Sequence, residues 1–191
     1  MKGYILTDNT APQIPGYIAG TWSIDPVHSE VSFSVRHMAI SKVKGRFETF
    51  DARIVTADNP LESSVKANAE VASVNTRQEQ RDAHLRTSDF FLAEEHPQIQ
   101  FDSTGVRYEH DQFYVDGNLT LRGVTKPVTF TFDFGGFMKD PSGATKAGFE
   151  ATTVIQREDF GVNYNAALEG GGFILGNDVT ITLDIQAVLE Q

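Results

Sequence analysis

The chain has 191 residues, of which 40% are hydrophobic and 22% charged, with a formal net charge of −10 and no cysteine. This length suits a single domain, and the negative charge disfavours nucleic acid and anionic membrane surfaces as large-area partners. The absence of cysteine excludes disulfides and thiolate metal sites. Fourteen Phe accompany five Tyr and one Trp, so most aromatic rings are expected to face a core or an apolar cavity.

The first 20 residues are predicted to form an N-terminal arm that precedes a domain spanning 21–191. This arm contains the turn-forming residues Pro12, Pro15 and Gly16. Its apolar run, residues 4–6, is too short for the core of a signal peptide. No segment of the chain approaches the roughly 18 apolar residues that a membrane helix needs. We therefore expect a cytoplasmic protein without stable membrane insertion.

The first half of the domain is dominated by the two-residue period of β-strands. Apolar and polar residues alternate over 31–37, and 43–56 is a longer extended stretch with a register change near Phe50. Residues 58–60 predict a turn, and alternation continues over 65–71. These patterns predict consecutive strands whose apolar faces point to one interior.

The pattern breaks once, after residue 75. Thr76 is predicted to cap a short helix, with Glu79 three residues later as its capping-box partner. Residues 78–86 lack strand alternation and are predicted to be helical, and Pro97 closes this insert. One short helical insert therefore interrupts the series of strands.

Alternation returns in five further segments, 99–103, 113–121, 128–134, 149–155 and 179–187. The total is about eight strands at hairpin spacing, with no alternation of strands and helices. Such one-sided strands either close into a barrel or pack as a sandwich. We favour an all-β fold, a roughly eight-stranded antiparallel barrel, whose interior either is filled by side chains or holds one small ligand.

The apolar faces of these strands supply the candidate lining of a ligand cavity. The alternative is that the same side chains fill a solid core. A further ring, Phe160, follows the penultimate strand and is predicted to plug one end of the interior. The candidate lining residues are Phe33, Val35, Phe47, Phe101, Phe113, Val115, Phe130, Phe132, Phe149, Phe160, Ile181 and Leu183.

Four polar residues are candidates for contact with a ligand headgroup or for the cavity mouth. Arg81 and His84 lie on the helical insert, and a guanidinium suits a phosphate or carboxylate group. Arg157 lies in a predicted turn, and His37 ends an alternating strand. Each has a structural alternative: the charges tie the insert or the turn to the barrel, and His37 is a buried histidine with its hydrogen bonds satisfied.

Catalytic and metal sites are poorly supported. Asp25, His28 and Ser29 contain the residue types of a triad, but three residues this close on an extended segment rarely converge as nucleophile, base and orienting group. The five histidines are scattered without paired-ligand spacing, so no metal site is predicted. Gly170-Gly171-Gly172 lacks a strand-to-helix context and predicts a flexible loop rather than a phosphate-binding site. No cofactor is predicted.

Seven short segments, taken in order, resemble the YceI-like family, also called polyisoprenoid-binding-like proteins. The resemblance extends from about Trp22 to Leu189. The segments are WSIDPVHS at 22–29, FSVRHM at 33–38, VKGRF at 43–47, RDAHL at 81–85 running into DFF at 89–91, HPQIQF at 96–101, GNLTLRG at 117–123 and REDFG at 157–161.

This resemblance implies a lipocalin-like barrel around an elongated apolar tunnel, with polyisoprenoid or fatty lipids as ligands and a homodimer as the assembly. We therefore interpret the chain as a binding protein that sequesters a long-chain amphiphilic lipid. Two alternatives stay open. One is an enzyme acting on such a lipid, and the other is an interaction module whose barrel is solidly packed.

Overall fold

The structure, a computed structural model, describes residues 12–190, which form eleven strands, one α-helix and four short 3-10 helices. The 3-10 helices span Pro26–His28, Pro60–Glu62, Val71–Ser73 and Arg157–Phe160, and the α-helix, α1, spans Glu79–Arg86. The strands are β1 (Gly20–Ile24), β2 (Glu30–His37), β3 (Ser41–Phe47), β4 (Phe50–Thr56), β5 (Ser64–Glu70), β6 (Val74–Asn75), β7 (Gln98–Glu109), β8 (Gln112–Leu121), β9 (Val124–Lys139), β10 (Thr145–Gln156) and β11 (Leu175–Leu189).

All strand pairs are antiparallel, and the sheet closes on itself. Neighbours around the ring run β1-β4-β5-β7-β8-β9-β10-β11, and β11 pairs again with β1. The strand β11 pairs with β2 through residues 175–184 and with β1 through residues 187–189, so β1 and β2 act as one bent strand. The strands β3 and β4, and likewise β5 and β6, form two further bent strands. The prediction of an eight-stranded antiparallel barrel with one helical insert is thereby confirmed.

One end of the barrel is covered by the segment that precedes β1. Residues 1–11 of the predicted arm lie outside the described residues, and residues 12–19 contain neither helix nor strand. The Tyr17 hydroxyl donates a hydrogen bond to the Ala57 carbonyl (2.8 Å), and the Tyr17 ring packs edge-on against Phe137. We call this the arm end of the barrel.

The helical insert covers the opposite end, which we call the insert end. The prediction that Thr76 caps the helix is wrong, because α1 begins at Glu79 and Gln78 is its cap. The backbone N–H and the hydroxyl of Thr76 instead both donate to the buried Asp82 carboxylate, at 2.8 and 2.6 Å. Asp82 thus holds the helix to the strand before it, a role that the spacing of Thr76 and Glu79 does not reveal.

A bulge in β9 changes which side chains face the interior. Phe149 of β10 pairs with Phe134, but Gly148, the preceding residue, pairs with Gly136, so Gly135 is the additional residue in β9. Gly136 has a φ of 112°, which residues with a side chain rarely adopt. Because an extra residue inverts the alternation, Phe137 faces the interior as Phe134 does.

A polar cluster around Asp25 fixes the bend between β1 and β2. Its carboxylate accepts hydrogen bonds from Lys146 Nζ (3.0 Å), Gln186 Nε2 (3.1 Å) and the Val27 backbone, and it contacts His28 Nδ1 (3.0 Å). Ser29 Oγ donates to the Asp25 backbone carbonyl (2.7 Å). Ser29 Oγ also accepts a hydrogen bond from the Gln186 backbone N–H (2.9 Å), so Ser29 bonds to the backbone and His28 to Asp25, and these residues build a structural corner rather than a triad.

This cluster gives the stability of the fold a specific pH dependence. Hydrogen bonds from Lys146, the larger cause, and from His28 hold the pKa of Asp25 well below its usual range. A depressed carboxyl pKa stabilises the fold above the unfolded pKa of about 4, and this contribution is lost as the pH falls through the folded value. We expect Asp25→Asn to be less stable than wild type near neutral pH, with a difference that shrinks below about pH 4. Urea unfolding at a series of pH values measures this.

The matched control is Asp58→Asn, at an exposed aspartate. Its unfolding free energy should follow that of wild type at every pH. A deficit of Asp25→Asn that stays constant down to the lowest pH would show that the carboxylate charge does not carry the stabilisation.

Candidate functional site

The interior of the barrel contains a large apolar cavity with a volume of about 330 Å³. Its lining extends from Ile14 and Tyr17 at the arm end to Phe91 and Leu175 at the insert end. Twelve of the 14 Phe residues line it, all except Phe160 and Phe173. A phenyl ring offers no hydrogen bond, so this lining selects a ligand by apolar area and shape.

The rings that line the cavity contact one another in a continuous series. Phe132 lies 5.6 Å from Phe149, and Phe149 lies 5.6 Å from Phe134, measured between ring centroids. Phe134 continues to Phe137 at 4.5 Å, and Phe137 to the fully buried Trp22 at 5.4 Å. These distances are typical of tilted and edge-to-face aromatic pairs, so the wall towards the arm end is a packed aromatic surface.

Two inward-facing glycines give the rings their positions. A Cβ on Gly45 would lie 2.5 Å from Phe33 Cζ, and one on Gly117 would collide with the Phe101 ring. Phe33 and Gly45 are paired across β2 and β3. Each ring therefore lies across a neighbouring strand in the space that a missing side chain leaves.

Eleven of the twelve predicted lining residues border the cavity, and Phe160 does not. Phe160 ends the 3-10 helix after β10 and is only 2% exposed. It packs in a cluster with Leu119, Leu121 and Ile155, so it belongs to the solid core at the insert end. Phe160 therefore lies behind the cavity wall at this end rather than in the lining itself.

The cavity also includes residues that the alternation pattern does not indicate. Ile14 and Tyr17 come from the arm, and Phe91 comes from the segment after α1. Phe134 lies on the apolar face that alternation predicts for β9. Phe137 reaches the same interior only because of the bulge, and the two consecutive glycines before it were the sequence signal for that bulge. Arms and turns have no period, so their contribution to the lining becomes visible only in three dimensions.

Three of the four predicted headgroup or mouth residues lie away from the cavity lining. Arg81 Nε donates to Thr76 Oγ1 (2.7 Å), which ties the helix to β6. His84 Nε2 lies 2.7 Å from Asp89 Oδ2, and the His84 ring stacks edge-on against Phe90 and Tyr164. His37 is half-buried and pairs with Ser41 at the end of β2.

The fourth residue, Arg157, lines the cavity at the insert end and is only 4% exposed. Its Nε donates to the Gly176 carbonyl (2.9 Å), and its Nη1 donates to the carbonyls of Val162 (2.6 Å) and Tyr164 (3.0 Å). Its Nη2 is buried without a hydrogen-bond partner among the described residues, 3.8 Å from Glu158 Oε1. Burial lowers the pKa of the guanidinium, and the nearby Glu158 charge opposes this.

Among residues 12–190, only one other charged residue, Asp51, reaches the lining, and its side chain is exposed to solvent. Arg157 is therefore the buried charge of the cavity. A guanidinium N–H without a hydrogen-bond partner can donate a strong hydrogen bond to an oxygen of a bound molecule once a small shift of the side chain turns it towards the cavity.

The family of the chain follows from comparison with known proteins. A family model described as the YceI-like domain matches residues 22–187, which extend from within β1 to within β11. The chain belongs to the YceI-like family. A UPF0312 protein of Staphylococcus aureus strain N315 is 39% identical over 161 residues, which are 83% of this chain and 91% of the relative.

Solved structures similar to this YceI-like chain share its barrel. The YCEI protein of Campylobacter jejuni is 26% identical with a TM-score of 0.68, and the match covers 100% of both chains. BcnA of Burkholderia cenocepacia is 21% identical with a TM-score of 0.75, covering 85% of this chain and 98% of BcnA. A polyisoprenoid binding domain from Saccharophagus degradans is 14% identical with a TM-score of 0.66, covering 91% of this chain and 100% of that domain.

Residues 12–190 contain neither a membrane-spanning helix nor a candidate metal site. Within residues 12–190, no helix has both the length and the apolar character needed to cross a bilayer. In the same part of the chain, no group of three His, Asp or Glu side chains is arranged to hold a metal ion.

Proposed function

We propose that this YceI-like protein binds a long-chain amphiphilic lipid, an isoprenoid or a fatty-acyl compound, and does not convert it chemically. The observation that carries this proposal is the apolar cavity of about 330 Å³ with its phenylalanine-rich lining. The lining runs from one end of the barrel to the other, which suits an elongated apolar chain better than a compact polar metabolite.

The energetics favour a long hydrocarbon tail. Burial of each CH₂ group contributes about 0.8 kcal/mol, so one five-carbon isoprene unit contributes roughly 3–4 kcal/mol before costs. Ordering of the tail and loss of its free motion offset a large part of that gain. Several units in the cavity are therefore needed for tight binding, and specificity comes from length and shape.

Arg157 supports a defined orientation of the ligand. It is the buried charge of the lining, and its Nη2 has no hydrogen-bond partner among residues 12–190. An oxygen of the lipid headgroup at this position would complete the hydrogen bonding of the guanidinium. The headgroup would then lie at the insert end, with the tail directed towards Tyr17 at the arm end.

The enzymatic alternative finds no support in the electrostatics of the cavity. Among the described residues, the carboxyl, amino and phenol groups with shifted pKa values are Asp25, Tyr108, Asp116, Asp140 and Lys146. None of them lines the cavity. General acid–base chemistry needs such a group within reach of the substrate, so binding is the better-supported function.

The solidly packed alternative conflicts with the size of the cavity. A cavity that holds one water molecule needs a volume of only about 10–15 Å³. The interior of this barrel leaves about 330 Å³. An interaction module with a filled core would have no such space.

A solved structure with the same barrel fold supports the proposed class of ligand. The domain from Saccharophagus degradans is described as polyisoprenoid-binding, and its barrel matches this one with a TM-score of 0.66. At 14% identity this likeness is evidence for the fold. The isoprenoid or fatty-acyl ligand is our proposal from the cavity itself. The homodimer and the cytoplasmic location stay predictions.

Native mass spectrometry of freshly purified protein, followed by solvent extraction and lipid mass analysis, tests the proposal. We expect a stoichiometric species in the isoprenoid or fatty-acyl mass range. Protein that is purified without a bound lipid should take up added polyprenol. Protein that is empty and also takes up neither polyprenol nor fatty acid would refute the proposed function.

A further inference from the structure

The hairpin between β2 and β3 presents an exposed apolar tip. Its three connecting residues are Met38, Ala39 and Ile40, and Ile40 is 82% exposed. Met38 and Ala39 both have a left-handed backbone, with φ of 52° and 59°. Glycine and asparagine are the usual residues for such a turn, so the apolar tip is not what turn geometry alone selects.

A second exposed apolar residue joins this tip from a neighbouring loop. Phe173, 65% exposed, lies in the segment between the 3-10 helix after β10 and β11. The Met38 backbone N–H donates to the carbonyl of Ile174, the next residue, at 2.7 Å. The two loops are thus held side by side. Other exposed apolar residues, such as Val27, Met138 and Val154, lie on separate elements.

A cationic stripe runs back from the tip along the outer face of the hairpin. Arg36 is paired directly with Lys42 across β2 and β3, and Lys44 lies two residues further along β3. All three side chains are exposed, and within residues 12–190 none of them forms an ion pair. Arg46 is different, because it forms ion pairs with Glu30 and Glu48.

We propose that this tip and stripe, formed by Met38, Ile40, Phe173, Arg36, Lys42 and Lys44, dock the protein reversibly on an anionic lipid bilayer. The apolar side chains enter the interfacial layer, and the three cations meet the anionic headgroups. The net charge of −10 does not prevent this. At physiological salt, charges further than about 8 Å from the bilayer are largely screened, so the local sign decides.

The docking surface lies beside the cavity. Val35 and Leu175 both line the cavity, and they flank His37, the residue that precedes the tip. A docked protein would therefore hold the insert end of the cavity close to the bilayer. Docking itself does not depend on a bound lipid, and it is measurable on empty protein.

Flotation with two kinds of vesicle tests the proposal. Wild-type protein is expected to float with vesicles of phosphatidylcholine and phosphatidylglycerol in equal parts, and not with phosphatidylcholine alone. Each cation near a bilayer contributes about fivefold to partitioning, so Lys42→Gln with Lys44→Gln should weaken binding roughly 25-fold. Ile40→Ser should weaken it by about tenfold through lost apolar burial. At about 1 M salt, where the Debye length is about 3 Å, the anionic preference should disappear.

The matched control is Lys66→Gln with Lys139→Gln, two exposed lysines on other strands, which removes the same charge. This control should bind vesicles as wild type does, and all variants should retain the wild-type circular dichroism spectrum and lipid uptake. Equal loss in the control, equal binding to both vesicle types, or no flotation of wild type would each overturn the proposal. So would a change in oligomeric state of Ile40→Ser without a change in flotation, which would assign the tip to self-association.

Discussion

Ala151→Phe is expected to weaken lipid binding about 100-fold while the barrel stays folded. Ala151 lines the cavity in the middle of β10, between Phe132 on β9 and Leu183 on β11. A phenyl ring there would occupy the space of about one isoprene unit, whose burial contributes roughly 3–4 kcal/mol before costs. In the wild type, ordering of the lipid tail offsets part of this burial free energy, so we expect a loss of affinity of about 100-fold rather than the full amount. Displacement of a fluorescent fatty acid measures the affinity.

The stability of this variant should stay unchanged or rise by about 1 kcal/mol, because the new ring fills an existing void. The matched control is Val154→Phe, which places the same ring on the outer face of the same strand, where Val154 is 58% exposed. The control should bind lipid as wild type does. If Ala151→Phe retained full affinity with an intact fold, the ligand would lie outside this cavity.

Much of the barrel could be predicted from the sequence, because alternation is a local property that burial on one face imposes. The residues 31–37 illustrate this: their alternation predicts a strand with Phe33 and Val35 inside, and both line the cavity. The insert was equally visible, since helical and strand periods differ. Alternation cannot show whether two strands continue into each other through a bend. The structure shows this for β1 and β2, which both pair with β11 and act as one bent strand.

The candidate site was predictable where strands build it and not where turns do. Phe160 was expected to plug one end of the interior and to count among the lining residues, and its 3-10 helix buries it in the core with Ile155, outside the lining. Phe137 lies beyond a bulge at Gly135, which inverts the alternation, and it was missed for that reason. Whether the interior is filled or empty depends on ring orientations and on Gly45 and Gly117, and no sequence period encodes these.

Polar residues were harder still to interpret, because sequence shows their chemistry but not their partners. Arg81 and Arg157 looked alike as headgroup candidates. The structure places Arg81 against Thr76, outside the cavity, and Arg157 in the cavity lining. The difference arises from the fold: Arg81 lies on the helix that covers the insert end, and Arg157 begins the 3-10 helix that directly follows β10.

Arg157→Met is expected to destabilise the fold by about 3–5 kcal/mol. The guanidinium donates three hydrogen bonds to the carbonyls of Val162, Tyr164 and Gly176, and Met would leave these acceptors without a donor. Hydrogen bonds from a charged donor contribute about 1.5–3 kcal/mol each, and removal of a buried charge offsets part of the loss. Thermal unfolding should shift downward by roughly 10 °C for a domain of this size.

The control for this change is Arg53→Met, at an arginine that is 65% exposed and pairs only loosely with Glu190 at 3.9 Å. Its stability should stay within about 0.5 kcal/mol of wild type. A loss below about 1 kcal/mol in Arg157→Met would mean that water replaces the guanidinium at the three carbonyls.

The same variant separates a structural arginine from one that also holds the headgroup. Below its unfolding temperature, the affinities of a fatty acid and of its methyl ester can be compared in one protein, so any general effect of the substitution cancels in their ratio. If Arg157 Nη2 binds the headgroup, wild type prefers the acid, and Arg157→Met should reduce that preference by about tenfold, the loss of one charge-assisted hydrogen bond. An unchanged ratio would confine Arg157 to its three backbone carbonyls and would leave the orientation of the lipid to the shape of the cavity.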